Sequence, residues 1–495
     1  MQLINNKKLL ILGLLIVLAS IPRAIELLNH NYLFGYDQGQ FFQDVKKIVI
    51  DGNLTLIGTE VGGKGGFFQG PGWYYLLSIP FFITGGDPYG AMILMFLIGV
   101  GSVLIAFLLG SKMFDKKTAF TISLLIAISP AVITQSRFIW PPFPISFLSV
   151  FLVFSVYQVL HGKEKYLPFL TFILGLMTHF ETATAATLLV NLLLFSPILL
   201  IKKLVAVRTA FFSMGTLIVT QLPLIFFDLK HDFLNTKGIL SLILSTEKTN
   251  ARIAEVFDNR WEVFKNNFYG TFPSGDMLWP LLLLIILGGI FMYIRDNRKS
   301  FAEKSFVLFL AVSPILLFLI FMKYGSFMWS WWILELPIYY CFLLGIIFGY
   351  SWKKTFLRLP IVVIIFILFG SYIYQTINFY KNDFNDFGGV HKIKGKIQAI
   401  DYIYKDAAGK PFNIMIFTPP VYTYAYDYLL WWHGRKKYNF IPEKKKEDAF
   451  YLLIEPDPHK PWTYKGWLET VVKTGKVTKT VELPSGFIIQ KRYED

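Results

Sequence analysis

The chain is a succession of apolar runs, parted by short stretches of Lys, Arg, Asn, Pro and Gly. Apolar runs of roughly 20 residues span a bilayer as helices. The first, Leu9 to Leu28, follows Lys7 and Lys8. No small-residue cleavage site follows it and Arg23 interrupts its far end, so it reads as a retained first helix. One region breaks the rhythm: residues 73–111 hold "WYYLLSIPFFIT" and then "YGAMILMFLIGVGSVLIAFLLG". The first piece, about 12 residues, is too short to span comfortably and reads as interfacial or re-entrant.

Two stretches carry a different period. Phe41, Val45 and Ile48 fall at helical spacing while Gln40, Asp44 and Lys47 face elsewhere. Ile253, Phe257, Trp261 and Phe264 repeat the pattern. Both predict helices lying in the membrane interface. "FMWSWW" (327–332) reads as an outer aromatic belt. From 379 the chain looks soluble: "NIMIFTPP" and "DAFYLLIEP" predict strands, "IKGKIQAIDYIYKDA" and "TYAYDYLLWWHG" predict helices. Such alternation predicts a small α/β domain.

Charge orients this scheme. The clusters Lys7-Lys8, Lys112/Lys116/Lys117, Lys163/Lys165, Lys202/Lys203/Arg208, Arg295/Arg298/Lys299 and Lys353/Lys354/Arg358 belong on the cytoplasmic side. The loops 29–87, 135–142, 179–182, 228–276 and 323–330 then fall outside, as does the tail. The expectation is a polytopic α-helical membrane protein of 11 transmembrane helices in the plasma membrane, N-terminus cytoplasmic. A 12-crossing arrangement violates the charge rule from Lys112 onward. The expected domains are a transmembrane domain, 1–378, with outer loops 29–87 and 228–276, and a soluble extracytoplasmic α/β domain, 379–495. Composition agrees, since 54% of the 495 residues are hydrophobic and only 16% charged. The net charge of +15 is explained by cytoplasmic loops on a lipid bilayer and needs no nucleic acid. The single cysteine, Cys341, excludes an intramolecular disulfide and a cysteine metal cluster.

The polar residues that stand out fall on the outer side. Asp37, in "FGYDQGQFFQD", has two readings: an N-cap paired with Gln40, or a general base at the lipid headgroups. Asp44 shares its helical face and is either a partner carboxylate or a solvated neighbour of Lys46 and Lys47. Gly58-x4-Gly63-Lys64 is nearly a P-loop, but Gly65 replaces the hydroxyl residue and no strand precedes it, so that reading is rejected. Its glycine amides and Lys64 either cradle a phosphate or form a flexible loop. Arg23 and Arg137 lie near outer helix ends, as functional cations or as snorkelling side chains. His179 and Glu181 in "THFE" occupy another outer end, and two residues do not make a metal site. "FDLKHDF" (227–233) supplies Asp228, Lys230, His231 and Asp232, and Arg260 lies on the amphipathic helix beyond.

The Asp just after helix one, the run "GPGWYYLLSIPFF" and the Ser-Pro then Ser-Arg of "LLIAISPAVITQSRF" together resemble a family. They are similar to the GT-C membrane glycosyltransferases, in the protein O-mannosyltransferase and lipid A aminoarabinose transferase group, over roughly residues 5–380. The resemblance implies a polyprenyl-phosphate-linked sugar donor, an extracytoplasmic acceptor (protein, lipid or polysaccharide) and inversion at the anomeric carbon. It implies Asp37 as catalytic base, with Arg137 and Lys64 on the donor phosphate and Arg260 third. Asp44, Arg23, His179, Glu181 and His231 are further substrate-site candidates. Here Gln38 follows Asp37 where many relatives carry Asp-Glu or Glu, and Lys64 lies upstream of Pro71 rather than directly before a Pro-Pro. The leaving phosphate is a stable anion, so the reaction asks for one base and several cations. No cofactor is required; a divalent metal is compatible and no residues are assigned to it. The alternative is a transporter or flippase of lipid-linked saccharides. That class puts polar groups at mid-membrane in repeated halves, whereas here they cluster outside and no repeat is visible.

Overall fold

Helices dominate the computed structural model, which describes residues 6–61, 67–244, 252–323, 327–389, 391–419, 421–457, 459–460 and 462–494. Among the described residues, seven helical stretches are long and apolar enough to cross a membrane: Pro88–Met113, Thr182–Leu199, Val207–Lys230, Leu278–Arg295, Phe301–Met322, Ser330–Ser351 and Thr355–Phe384. The protein is a multi-pass membrane protein. An expected count of 11 also draws on Asn6–Arg23 and on the shorter helices Lys116–Ile128, Ile145–Leu160 and Leu167–Met177. "WYYLLSIPFFIT" lies in the helix Gly72–Thr84, whose 13 residues include Pro80. Both amphipathic stretches are helices, Tyr36–Val49 and Ile253–Thr271.

Helix ends follow local chemistry. Asp115 caps Lys116–Ile128 by accepting from the amides of Lys117 and Thr118. That helix stops at Ser129 because Pro130 lacks an N–H and its ring crowds the preceding turn. Ser129 then caps the next helix, Pro130–Gln135. Ser300 and Glu303 form a reciprocal capping box at the start of Phe301–Met322.

The chain folds as two compact units. The first comprises Met1–Arg23, Thr55–Trp73 and Met95–Asn378; the second comprises Ala24–Leu54, Tyr74–Leu94 and Phe379–Asp495. The first outer loop, expected as one element of a 1–378 domain, is thus divided, with only its Thr55–Trp73 part in the first unit.

In the first unit the helix Leu336–Ser351 is buried along nearly its whole length. Small residues let it approach Lys116–Ile128: a Cβ at Gly345 would collide with Ile122, and one at Gly349 with Thr118. Without a hydrophobic drive between helices in lipid, such close packing is what holds them together.

The second unit carries a four-stranded sheet of β1 (Asn413–Phe417), β2 (Ala449–Ile454), β3 (Lys476–Glu482) and β4 (Ile488–Tyr493), in the order β1-β2-β4-β3. β1 and β2 are parallel; β4 runs antiparallel to β2 and β3. The two strands expected from sequence, β1 and β2, pair with each other, and β2 is the buried centre. Edge strand β3 is lined by lysines, which discourage further pairing. The start of the first loop is stitched to the tail by main-chain bonds: Phe34 N–H donates to His391 O at 3.0 Å and Ile393 N–H to Tyr32 O at 2.9 Å. Asn29 reinforces this with a 2.7 Å bond to Asp383.

Replacing Gly345 by Leu overpacks the helix contact and should cost about 1–3 kcal/mol of stability. Gly288→Ala, where a Cβ meets nothing within 4 Å, should be neutral or slightly stabilising. Thermal unfolding in detergent checks both, and equal responses would contradict the packing described.

Candidate active site

Helix Tyr36–Val49 starts from Gly35, whose extended backbone serves as N-cap. The Gln38 side-chain oxygen accepts the Gly35 N–H at 2.8 Å. Asp37 is therefore the second residue of the helix, not its cap, and the expected pairing with Gln40 is replaced by Gly35 with Gln38. The reason is geometric: Gln38 sits at the third helical position, from which a side chain reaches back to the cap amide. Asp37 is half-buried, and within its unit its carboxylate accepts no described hydrogen bond. Burial pushes its pKa above the ordinary aspartate value.

Asp44 lies two turns on, held by Lys47 at 2.8 Å. The buried Tyr74 phenol feels the charges of Asp44 and Asp37; burial first, then both carboxylates, raises its pKa. Tyr74 thus lies in the field of the two carboxylates, a link that the "WYY" of the sequence signals only as apolar. Lys64 lies outside the described residues.

In the first unit, His179 explains "GPG". Its Nδ1 accepts the Gly72 N–H at 3.1 Å and its Nε2 donates to Thr220 O at 2.7 Å. Gly72 can only donate and Thr220 O can only accept, so the ring is neutral with its proton on Nε2. Burial lowers its pKa. A Cβ at Gly70 or Gly72 would run into the imidazole, so both glycines are needed for the chain to lie against it. His179 is a clamp on the glycine-rich segment.

The three arginines separate. Arg23 is fully buried and donates to Ala19 O at 2.9 Å and Ala127 O at 3.0 Å. Arg260 is buried and donates to Phe321 O at 3.3 Å and Asn259 Oδ1 at 2.6 Å. Each supplies a donor to carbonyls near a helix end. Arg137 is half-buried, in the bend after Pro130–Gln135, its amide donating to Thr134 O at 3.1 Å. The segment that follows it is aromatic: Trp140 packs on Phe138 at 5.1 Å and on Trp331 at 5.6 Å between ring centres.

His231 closes the last turn of Val207–Lys230, its Nδ1 2.8 Å from Phe227 O and its ring stacked on Phe227. Asp228 in the same run accepts from the Asn235 and Thr236 amides, and Asn235 in turn accepts the Phe68 N–H at 2.6 Å. Glu181 is buried, accepts the Ala183 N–H at 3.2 Å, and burial pushes its pKa up to about 8. Its electrostatic neighbour Glu335 is fully buried. Among the described residues no three of His, Cys, Asp and Glu gather as a metal-ligand set.

Among solved structures the chain is similar to ArnT from Cupriavidus metallidurans bound to undecaprenyl phosphate, at 11% identity over 98% of each chain with a TM-score of 0.58. It is also similar to the Archaeoglobus fulgidus oligosaccharyltransferase in its apo form (16% identity, 76% of this chain, 56% of that chain, TM-score 0.45). The complex of that protein with Zn and sulfate gives 16% identity, 74% and 53% coverage and a TM-score of 0.43. No family model and no curated protein sequence matches. The first of these likenesses runs the length of both chains: this protein shares the fold of that ArnT structure, and its C-terminal part carries a small sheet.

The clamp makes a pH prediction. A histidine whose folded pKa is lowered contributes stability that is present at neutral pH and lost as pH falls through the unfolded value, about 6.5. The melting temperature of wild type should exceed that of His179→Gln at pH about 7.5, and the gap should narrow by pH about 5.5. A gap independent of pH would contradict the assigned proton.

Proposed function

We propose that this protein is an integral-membrane inverting glycosyltransferase, moving a sugar from a polyprenyl-phosphate donor to an acceptor outside the membrane. The observation that carries this reading is Asp37: a half-buried carboxylate at the start of a helix, relieved of capping by Gln38. The shared fold with ArnT, whose structure holds undecaprenyl phosphate, supports the donor class.

In the proposed step an acceptor hydroxyl oxygen attacks the anomeric carbon as Asp37 takes its proton. The bond from that carbon to the phosphate oxygen breaks, and its electron pair leaves with the polyprenyl phosphate. Attack from the face opposite the leaving group inverts the configuration. The leaving anion needs positive charge rather than a proton. We assign that role to Arg137 and to Lys64 of the glycine-rich sequence. Arg260, whose guanidinium donates to Phe321 O and Asn259 Oδ1, is the third candidate. Arg23, tied to Ala19 and Ala127, is assigned to the architecture. A raised Asp37 pKa moves the group toward the strength a general base needs.

Purified protein offered polyprenyl-phosphate hexoses should release lipid phosphate, and Asp37→Asn should lower that rate by about 10²–10⁴-fold. The variant should still fold, losing at most about 1 kcal/mol from the helix-dipole interaction. Retained turnover in a folded Asp37→Asn protein would remove Asp37 from the mechanism.

A further inference from the structure

The proposed step leaves the tyrosines around Asp37 unused. Tyr36 precedes it and is 41% exposed; Tyr422, from the turn after β1, is 55% exposed. Their rings stack at 5.9 Å and 29°, and Tyr422 stacks in turn on Tyr424 at 5.5 Å and 17°. At these separations the near-parallel rings are offset rather than face-on, and the two exposed ones, Tyr36 and Tyr422, make one aromatic surface. It starts at the residue before Asp37, on the first turn of the same helix, and the Asp37 carboxylate raises the Tyr36 phenol pKa.

The face is built rather than incidental. Val421, a β-branched residue, has φ of +68°, a left-handed conformation that such side chains rarely adopt. Its N–H donates to Thr418 O at 2.9 Å, and the Thr418 hydroxyl donates to Tyr422 O at 3.1 Å. The turn therefore closes on itself and fixes the backbone of Tyr422. Two contacts lock it to the helix that carries Asp37. Gly39 has no Cβ, which would otherwise strike the Tyr424–Ala425 backbone, and the Gln43 amide donates to Tyr424 O at 3.0 Å.

An aromatic ring carries negative charge on its face and attracts positively polarised hydrogens lying over it. A pyranose ring presents such C–H bonds together on one side, and its rim of hydroxyls suits phenol and carboxylate neighbours. We propose that Tyr36 and Tyr422 form a platform on which a pyranose ring stacks beside Asp37. This rests on the glycosyl-transfer reading above. The ring comes from the donor or from a sugar acceptor, and the turn of residues 421–424 sets which sugars fit.

The test uses the full chain in lipid nanodiscs with a panel of methyl hexopyranosides as probes, and glycerol as the control polyol. Saturation-transfer NMR should show contact to the C–H protons of one ring face. Affinity should fall about tenfold, equivalent to roughly 1.4 kcal/mol, in Tyr422→Ala and hold within about twofold in Tyr422→Phe. Glycoside binding is read without turnover, so failure of the Asp37 base assignment in the lipid-phosphate release assay would leave this result standing. Unchanged glycoside affinity in a folded Tyr422→Ala protein overturns the platform, as does a wild type that binds none of the panel. Hydrolysis of a polyprenyl-phosphate hexose then separates the sources. A raised donor KM in Tyr422→Ala assigns the donor sugar, and an unchanged donor KM alongside weakened glycoside binding assigns the acceptor.

Discussion

A helix that ends where water cannot reach it leaves its last carbonyls without partners, and this constraint organises the first unit. The break at Ser129-Pro130 exposes carbonyls of Lys116–Ile128, and the buried Arg23 guanidinium answers Ala127 from another helix. Arg260 does the same for Phe321 near the end of Phe301–Met322. Arginine suits the task because its planar fork stays charged and reaches several acceptors at once. Two of the three arginines that sequence singled out are thereby tied to architecture. Arg137, half-buried in the bend leading to Phe138 and Trp140, is the arginine proposed for the donor phosphate.

The second unit solves a different problem: holding a half-buried carboxylate without consuming it. Gln38 takes the capping duty, so Asp37 is not needed to start its helix. Gly39 lets the Tyr424–Ala425 backbone lie on that helix, and Gln43 fastens it. Asp44 is paired with Lys47. The helix that carries Asp37 is thus pinned by the Gly35–Gln38 pair at its start and by the Tyr424–Ala425 backbone further along, the kind of fixed support that the proposed base asks for.

Much of this was legible in the chain. The alternation of apolar runs and basic clusters marked a multi-pass protein, the helical spacing of Phe41, Val45 and Ile48 marked the helix of Asp37, and "NIMIF" and "AFYLLI" marked β1 and β2. Less legible was anything that depends on partners distant in sequence. "DQGQ" looks like a capping box at Asp37, but the register that forms begins at Gly35, because the bridge to the tail at Leu33 and Lys392 sets where the extended chain ends. "GPG" looks like a flexible turn, while its glycines serve an imidazole more than a hundred residues away. His179 and His231 stood out as isolated polar residues; their partners are main-chain groups, which no side-chain pattern announces. "TYAYDYLLWWHG" reads only as a helix, and nothing in it announces the left-handed turn at Val421 or the exposed Tyr422, both just ahead of that run.

The central claim is that Asp37 removes the acceptor proton, and the pH dependence of kcat/KM for lipid-phosphate release tests it most directly. The wild-type rate should rise with pH on its acid limb with a slope of one, at an apparent pKa above the ordinary aspartate value of 3.8 because burial raises that of Asp37. The residual rate of Asp37→Asn should lack that limb. An acid limb unchanged in the variant would contradict the account, since the titrating base would then be another group.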